Sequence, residues 1–434
     1  MFHGLSARSV ARIAALTIAL LVSSSQRSAF AQATTPANPA PQAPPATTPQ
    51  QPVGLWSEPG FLSSAIGLAT QFGDQNDTHK NGFYPELSNM ITGSGWLAVG
   101  PGYRHWYDND RWMFDTSAAV SWHLYTMGQA RIERQQLLDD RLTVGTQVMW
   151  TDNTQVNFFG IGPDVSDDDQ SQFRMQTTDA VGYATLNPKE SLAITGVVGW
   201  LGRPKLMDPS GTFRPDVPST LEAFPTAPAA DLGQQPAFLH SEGSITSDTR
   251  DHRGYPTRGH MYRGALTNYW DMTKGLFTFH TWEAEGLKYV PLSDARVVLA
   301  FHGWTVYGKP ADGNDIPFYL LPNFGGNRVG RAYHQFEFRD NNLLVLQAES
   351  RFAVWEHLDV ALLADVGNVA QQYGDLNLDK QSYGAGLRLH TDTTTLARLD
   401  VAHGDQGWHV VFGTSEPFRL PRVRRITAII PFFP

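Results

Sequence analysis

From Phe61 onward, short segments in which apolar and polar side chains alternate fill almost the whole sequence. Leu358 and Val360, for example, alternate with Asp359 and Ala361. Successive side chains of a β-strand point to opposite faces, so such segments predict a sheet with one face toward lipid and one toward a polar interior. Because a bilayer core offers no water to unpaired backbone groups, this sheet must close into a ring.

The connections between these segments alternate in kind, and they carry the Asn, Asp, Gly and Pro residues that tight reversals require. Seven are short and eight others lie between them, so the pattern predicts 16 antiparallel strands. Short turns of an outer-membrane barrel face the periplasm, which predicts that both chain ends are periplasmic. The short turns are 108–110, 152–153, 187–190, 250–258, 291–294, 355–357 and 391–394, and the other connections are 73–92, 126–137, 160–170, 202–235, 271–275, 308–341, 367–380 and 404–407.

The first 33 residues have the pattern of a cleaved secretory signal. Arg8 and Arg12 form a basic start, 13–22 is apolar, and small residues follow at the cleavage site. Residues 34–53 are rich in Pro and Ala and carry no charge, which predicts an extended linker. The protein is therefore expected to leave the cytoplasm, with the barrel spanning residues 54–418 and a tail at 419–434.

The composition fits an outer-membrane barrel better than a soluble exported domain. The chain has 12 Trp, 14 Tyr, 24 Phe and no cysteine. The aromatic residues lie near the ends of the alternating segments, as in the aromatic girdles of membrane barrels, and a soluble β-sandwich explains neither this nor the rhythm of connections. Loss of three arginines with the signal leaves 30 basic residues against 42 acidic ones, a net charge of −12, which argues against nucleic acid.

The most informative stretch is residues 325–352. It begins with a Gly-rich turn at Gly325 and Gly326, passes an isolated Arg-Ala-Tyr sequence, and ends in an alternating segment. In that segment Gln347, Glu349 and Arg351 fall on one face of the predicted strand, and apolar residues fall on the other. An arginine in a loop just before a polar strand face indicates a loop that lies against a hollow interior.

Four segments resemble the BamA/TamA-like bacterial surface antigens, which are outer-membrane barrels of the protein-insertion and two-partner-secretion superfamily. Residues 82–104 resemble the opening hairpin of that family, and 157–164 resemble the start of its third loop. Residues 248–259 resemble an Asp-x-Arg…Pro-x-x-Gly turn, and 325–352 resemble the sixth extracellular loop with the following strand. The resemblance covers about 82–418 and implies an all-β, 16-stranded antiparallel transmembrane barrel with an inward-folded sixth loop.

The resemblance also implies a site. In the family an Arg-Gly-Phe/Tyr tip of the sixth loop places its guanidinium on acidic residues of the next two strands. The matching tip here is Arg331-Ala332-Tyr333, with Ala where Gly is usual, and the matching acids are Glu349 and Asp365. The expected role is to pin the loop so that the barrel holds one conformation. The alternative is that Arg331 is a solvated loop residue.

The second motif that the resemblance implies is a turn, and in two other places the sequence departs from the family pattern. Its matching residues are Asp248, Arg250, Pro256 and Gly259. Between the predicted signal and Phe61 there is room only for the linker, so the periplasmic POTRA repeats of the family are not expected in this sequence. The final strand of the family is matched by 407–418, but 16 residues follow it, basic at first and then apolar.

The resemblance implies an insertase- or translocator-like protein with a lateral seam between its first and last strands. Its partners would be outer-membrane lipids, lipopolysaccharide, unfolded outer-membrane protein clients, or a periplasmic protein that supplies the missing repeats. The alternatives are a passive channel and a structural half of an oligomer. Fourteen histidines without paired-ligand spacing and the lack of a GxSxG motif predict no metal site, no cofactor and no enzymatic activity.

Overall fold

The computed structural model describes residues 54–60, 63, 66, 81–88, 98–211, 214–224, 235–292 and 296–418. The predicted signal peptide, almost all of the linker, and the tail 419–434 lie outside the described residues. Within them the chain is nearly all β-structure, with sixteen strands of seven or more residues. They are β1 (Gly82–Ser88), β2 (Ala98–Tyr107), β3 (Trp112–Ser121), β4 (Thr126–Leu137), β5 (Leu142–Phe158), β6 (Ser171–Lys189), β7 (Leu192–Leu201), β8 (Phe238–Asp248), β9 (Gly259–Asp271), β10 (Phe279–Leu292), β11 (Val297–Pro310), β12 (Asn342–Trp355), β13 (Leu358–Ala370), β14 (Lys380–His390), β15 (Thr395–Gly404) and β16 (Gly407–Gly413).

The remaining elements are short. A strand at Lys205–Met207 extends the wall beside β6, and a two-stranded ladder pairs Asn323–Phe324 with Phe338–Arg339. One helical turn spans Thr220–Ala223, and 3₁₀ turns lie at Asp167–Asp169, Phe318–Leu320 and Tyr373–Asp375. None of the helices in the described part of the chain has the length and the hydrophobicity needed to cross a membrane.

Each of the sixteen strands pairs antiparallel with its neighbour in chain order, from β1 to β16. The first ladder sets Gly82 opposite Arg104, so the predicted hairpin at 82–104 forms. The prediction of an all-β antiparallel fold is confirmed. Among the described residues no ladder joins β1 to β16, so a closed ring of 16 strands stays a prediction.

Three predicted connections are wrong, all in the first third of the barrel. Residues 126–137 form β4, Asp152 and Asn153 lie inside β5, and the predicted connection 73–92 contains β1. The reason is that the strands in this region carry many polar residues. Asp152 accepts hydrogen bonds of 2.8 and 2.6 Å from Arg174 and one of 2.9 Å from Gln176, both on β6. Turn-forming residue types therefore occur within strands when their side chains have partners across the sheet.

The two faces of the sheet differ as the alternation predicts. On β12, Gln347, Glu349 and Arg351 are buried, whereas the side chains between them are partly exposed. The opposite face leaves large apolar side chains open: Trp408 is 69 % exposed and Val410 is 70 % exposed. Apolar surface on this scale is stable in lipid and costly in water.

The connection between β11 and β12, residues 311–341, lies on the inner face and is the sixth connection at its end of the sheet, so it is called the sixth loop. Its first part packs against β5 to β10 in a cluster of Val156, Phe158, Phe173, Met175, Leu201, Leu206, Phe238, Tyr269, Phe279, Ile316, Phe318, Tyr319, Leu320, Leu321 and Phe336. Its second part packs against β11 to β13 in a cluster of Trp304, Val306, Phe324, Val329, Tyr333, Phe338, Leu343, Val345 and Val369. Because each fully buried Phe contributes about 1.5–3 kcal/mol, apolar packing is a large part of what holds this loop.

Candidate functional site: the anchored sixth loop

Arg331 lies in the Arg-Ala-Tyr tip of the sixth loop, and its side chain is fully buried. Its Nε and Nη2 donate to the two carboxylate oxygens of Asp365 at 2.9 and 2.6 Å, and its backbone N–H donates to the same carboxylate at 3.1 Å. Its Nη1 lies 3.2 Å from Glu349 and 3.5 Å from Asp400. The guanidinium therefore makes a bidentate contact with β13 and further contacts with β12 and β15.

Arg331 is part of a larger ionic cluster on the inner face. Glu349 accepts from Arg388 at 3.1 and 2.7 Å as well as from Arg331. Asp400 accepts from Arg388 and, at 2.7 Å, from Arg398. The cluster contains four cations and four anions, so its formal charges balance: Arg331, Arg351, Arg388 and Arg398 with Glu349, Asp365, Asp400 and Glu416.

The Ala at the centre of the tip is accommodated without backbone strain. Ala332 is not among the residues with positive φ; the neighbouring Gly330 takes that conformation, at φ +68°. Ala332 is fully buried against Leu363, and its Cβ would lie 2.8 Å from a Cβ added to Gly404. The methyl group of Ala332 thus fills the space that the glycine on β15 leaves.

Gly325 and Gly326 allow the loop to begin its turn. Both have φ values near +115°, at +113° and +116°. A Cβ on Gly325 would lie 2.4 Å from the carbonyl oxygen of His334, and one on Gly326 would lie 2.1 Å from the side chain of Gln335. Only glycine satisfies both the backbone conformation and the close approach.

The tip also contacts the hairpin formed by β15 and β16. The Tyr333 hydroxyl lies 3.2 Å from the carboxylate of Asp405 and accepts a hydrogen bond of 2.9 Å from the Gln381 N–H. The Gln406 side chain donates to Glu337. The rings of His334 and His409 are 5.1 Å apart between centroids. The loop is thereby joined to the last strand as well as to β12 and β13.

Glu337 predicts a pH dependence of this contact. Burial raises the pKa of Glu337 to about 7, and hydrogen bonds from the His334 N–H and Gln406 do not offset it. A raised pKa means that the folded state binds the proton more tightly than the unfolded state, so stability falls as the pH rises from about 5 to about 8. We expect the thermal transition of the protein, relative to that of a Glu337→Gln variant, to fall over this range.

The comparison with Glu337→Gln isolates one group, because His334, Asp167 and Lys380 near it are present in both proteins. Thermal unfolding in detergent, measured at several pH values, provides the readout. Parallel curves for the two proteins across the range would contradict the assignment.

A second segment lies on the inner face from the opposite end. In the turn between β8 and β9, Asp248 accepts a bidentate contact from Arg250 at 2.9 and 2.8 Å. Gly259 has φ +101°, and a Cβ there would lie 2.3 Å from the carbonyl oxygen of Thr249. The Pro256 carbonyl accepts a hydrogen bond of 3.2 Å from Arg351, so this turn reaches the ionic cluster.

The neighbours of Pro256 extend this contact. The Tyr255 hydroxyl donates to Asp359 on β13, and its ring stacks on His390 with centroids 3.7 Å apart. Gly254 forms a bridge to Thr394, and its carbonyl accepts from the Thr395 N–H at 3.0 Å. Residues 249–258 thus cross from β8 to the ends of β13, β14 and β15.

The structure brings Arg331, Glu349 and Asp365 together, and Pro256 lies near them. Asp248 and Arg250 pair with each other in the second segment. The sequence reasoning did not assign Arg388, Arg398, Asp400 or Glu416 to the site. For the first three, the same two-residue alternation on β14 and β15 that placed Glu349 inside could have indicated an inward position. In the described ranges, no three His, Asp or Glu side chains are arranged to hold a metal ion.

An antiparallel sheet with a lipid-compatible outer face, a charged inner face and a loop on that inner face defines a transmembrane β-barrel. The model of the Omp85 superfamily domain matches residues 117–415, more than half of the chain. The chain belongs to the Omp85 superfamily, and it is an outer-membrane β-barrel protein. The resemblance to BamA/TamA-like proteins is confirmed.

Solved structures that are similar to this chain include a BamA, which shares its fold, and a CdiB. BamA from Haemophilus ducreyi lacking POTRA domains 1–3 is 13 % identical with a TM-score of 0.56, over 81 % of this chain and 77 % of that chain. CdiB from Acinetobacter baumannii is 11 % identical with a TM-score of 0.46, over 76 % of this chain and 58 % of that chain. This chain therefore spans less than two thirds of CdiB. No curated protein sequence matches it.

Proposed function

We propose that this protein is an insertase- or translocator-like barrel that acts on protein or lipid clients through a lateral seam between β1 and β16. Membership of the Omp85 superfamily supports a role of this kind. The observation that carries the proposal is the state of the two terminal strands. Fifteen ladders join the strands from β1 to β16, and in the described residues none joins β16 back to β1.

In the described part of the chain, the terminal strands are also the shortest of the sixteen. Each has seven described residues, whereas the others have ten or more. Pro85 removes one backbone donor from β1. The ladder between β15 and β16 runs only from Arg398 to Gly404, so it leaves 395–397 without a partner on β16. A strand edge with few hydrogen bonds is one with which a client strand can pair.

The sixth loop supports this proposal over passive diffusion. It packs against the inner face of β5 to β13 through two apolar clusters and reaches β15 through Asp400. Solutes would have to pass beside a segment fixed by ionic, hydrogen-bonded and apolar contacts. A lateral route requires no displacement of that segment.

Cross-linking of the seam tests the proposal. Because the chain has no cysteine, pairs of introduced cysteines react only with each other. Position 83 or 85 of β1 is combined with position 408, 410 or 412 of β16, and the barrel is reconstituted in lipid vesicles. We expect the open-seam protein to accelerate folding of a urea-unfolded outer-membrane barrel, followed by its heat-modifiable gel mobility, and the cross-linked protein to give the rate of empty vesicles.

The matched control is the pair Val99→Cys and Val120→Cys. These residues face each other across the β2–β3 ladder, and both are exposed on the outer face. This cross-link should leave the folding rate unchanged. Full acceleration by the seam-locked protein would overturn the proposal. A stable selective conductance in planar bilayers, with no acceleration of folding, would instead identify a channel.

A further inference from the structure

The chain turns inward after the last strand. β16 ends at Gly413, and within a few residues Glu416 and Phe418 are each only 1 % exposed. Phe418 packs in a cluster with Met261, Leu287, Tyr289, Val298 and Ala300, on the inner faces of β9, β10 and β11. The segment after β16, on one side of the proposed seam, is therefore packed against the inner faces of β9 to β11.

Arg351 is the residue that holds this segment by its charge. Its side chain is 2 % exposed, and its Nη2 donates to Glu416 at 2.9 Å. The Tyr289 hydroxyl donates to the same Glu416 oxygen at 3.0 Å. The Arg351 guanidinium lies 5.7 Å from the Tyr255 ring centroid and 5.5 Å from that of Tyr289. Its place between two aromatic rings favours Arg over Lys, whose ammonium neither stacks nor donates in several fixed directions.

The other donors of Arg351 connect it to the two segments that lie on the inner face, to the sixth loop through Glu349 and to the turn directly. Its Nε donates to Glu349 at 3.0 Å, and Glu349 also contacts Arg331 at the tip of the sixth loop. Its Nη1 donates to the Pro256 carbonyl at 3.2 Å. One guanidinium thus joins the sixth loop, the turn between β8 and β9, and the segment after the last strand.

We propose that Arg351 is a positioning residue for the seam: by binding Glu416 it holds residues 414–418 inside the barrel and ends the pairing of β16 with β15 at Arg398. The inference rests on the proposed function, because it concerns how the β16 side of the seam is held in place. It goes beyond pinning of the sixth loop, since Arg351 binds Glu416 in the segment after the last strand. Release of Glu416 would allow the end of β16, near Gly413, to move.

Hydrogen exchange of the full chain in detergent tests this without any client. In Glu416→Gln the neutral amide keeps the shape but loses the charge that Arg351 binds. Loss of a hydrogen bond to a charged group raises the equilibrium constant for local opening by about tenfold. We therefore expect about tenfold faster exchange of the amides in 411–418. The heat-modifiable folded band should remain, because the ladders of the wall are unchanged.

The matched control is Glu242→Gln. Glu242 is also a buried inward carboxylate paired with an arginine, Arg263, but it lies on β8. It should leave exchange in 411–418 unchanged. Tyr289→Phe removes only the second donor to Glu416 and should accelerate exchange by about threefold, since a neutral hydrogen bond contributes less. If Glu416→Gln does not fold, the exchange of this milder variant tests the positioning role instead.

Unchanged exchange in 411–418 for a folded Glu416→Gln protein, or equal acceleration by Glu242→Gln, would overturn the positioning role. This readout is separate from the folding assay of the seam. Faster exchange together with no effect of seam cross-links on client folding would support Arg351 as a positioning residue and reject the proposed function. The reverse result would reject Arg351 and retain the seam.

Discussion

Arg331→Ala will lower the stability of the folded barrel by about 3–5 kcal/mol, the usual result of leaving a buried charge without its partner. Among the described residues, Arg331 is the one cation within ion-pair distance of Asp365, and it also contacts Glu349 and Asp400. Its removal leaves a fully buried region with one uncompensated negative charge. The expected observation is loss of the folded, heat-modifiable band on gels at a clearly lower temperature.

Two controls separate the geometry of Arg331 from its charge and its location. Arg331→Lys keeps the charge but loses the bidentate contact with Asp365, so it should recover only part of the stability. Arg174→Ala removes a similar bidentate contact with Asp152, but the Arg174 side chain is 29 % exposed. Water can replace part of that interaction, and we expect a loss of about 1 kcal/mol. An Arg331→Ala band as heat-resistant as the wild-type band would show that the loop is held without this arginine.

Gly330→Ala should produce the next largest loss, about 2–5 kcal/mol. The residue has φ +68°, and alanine in this conformation costs about 1–2 kcal/mol. The new Cβ would also lie 2.6 Å from the ring of Phe324. That ring is fully buried between Tyr333 and Phe338 and has no room to move, so overpacking adds about 1–3 kcal/mol.

Gly275→Ala is the matched control for this substitution. Gly275 has almost the same backbone conformation, φ +69°, but an added Cβ would meet nothing within 4 Å. It should therefore show the conformational cost alone. Thermal unfolding and protease cleavage of residues 311–341 give the two readouts. Equal losses for the two variants would mean that the loop does not pack against Phe324 as tightly as the structure indicates.

The predicted tip shows how far a motif can be read without a structure. Alanine in place of the usual glycine at position 332 would be strained if that residue had positive φ, as a glycine in a loop often has. The structure places that conformation one step earlier, at Gly330, and places a compensating glycine at 404, on another strand. A glycine and an alanine 72 positions apart cannot be paired from local sequence, because their contact depends on the path of the loop.

The sequence by itself determined the all-β class and the side on which each later strand carries its polar residues, because the two-residue period of a strand is local. This is why Glu349 and Asp365 could be assigned to the interior. The same period failed at β4 and in β5, since the polar strand residues there have the composition of a turn. Only the tertiary structure decided that Arg351, Asp400 and Glu416 join them. Those contacts connect β12, β15 and the segment after β16, and they exist because the sheet curves and the chain turns inward, which no local pattern encodes.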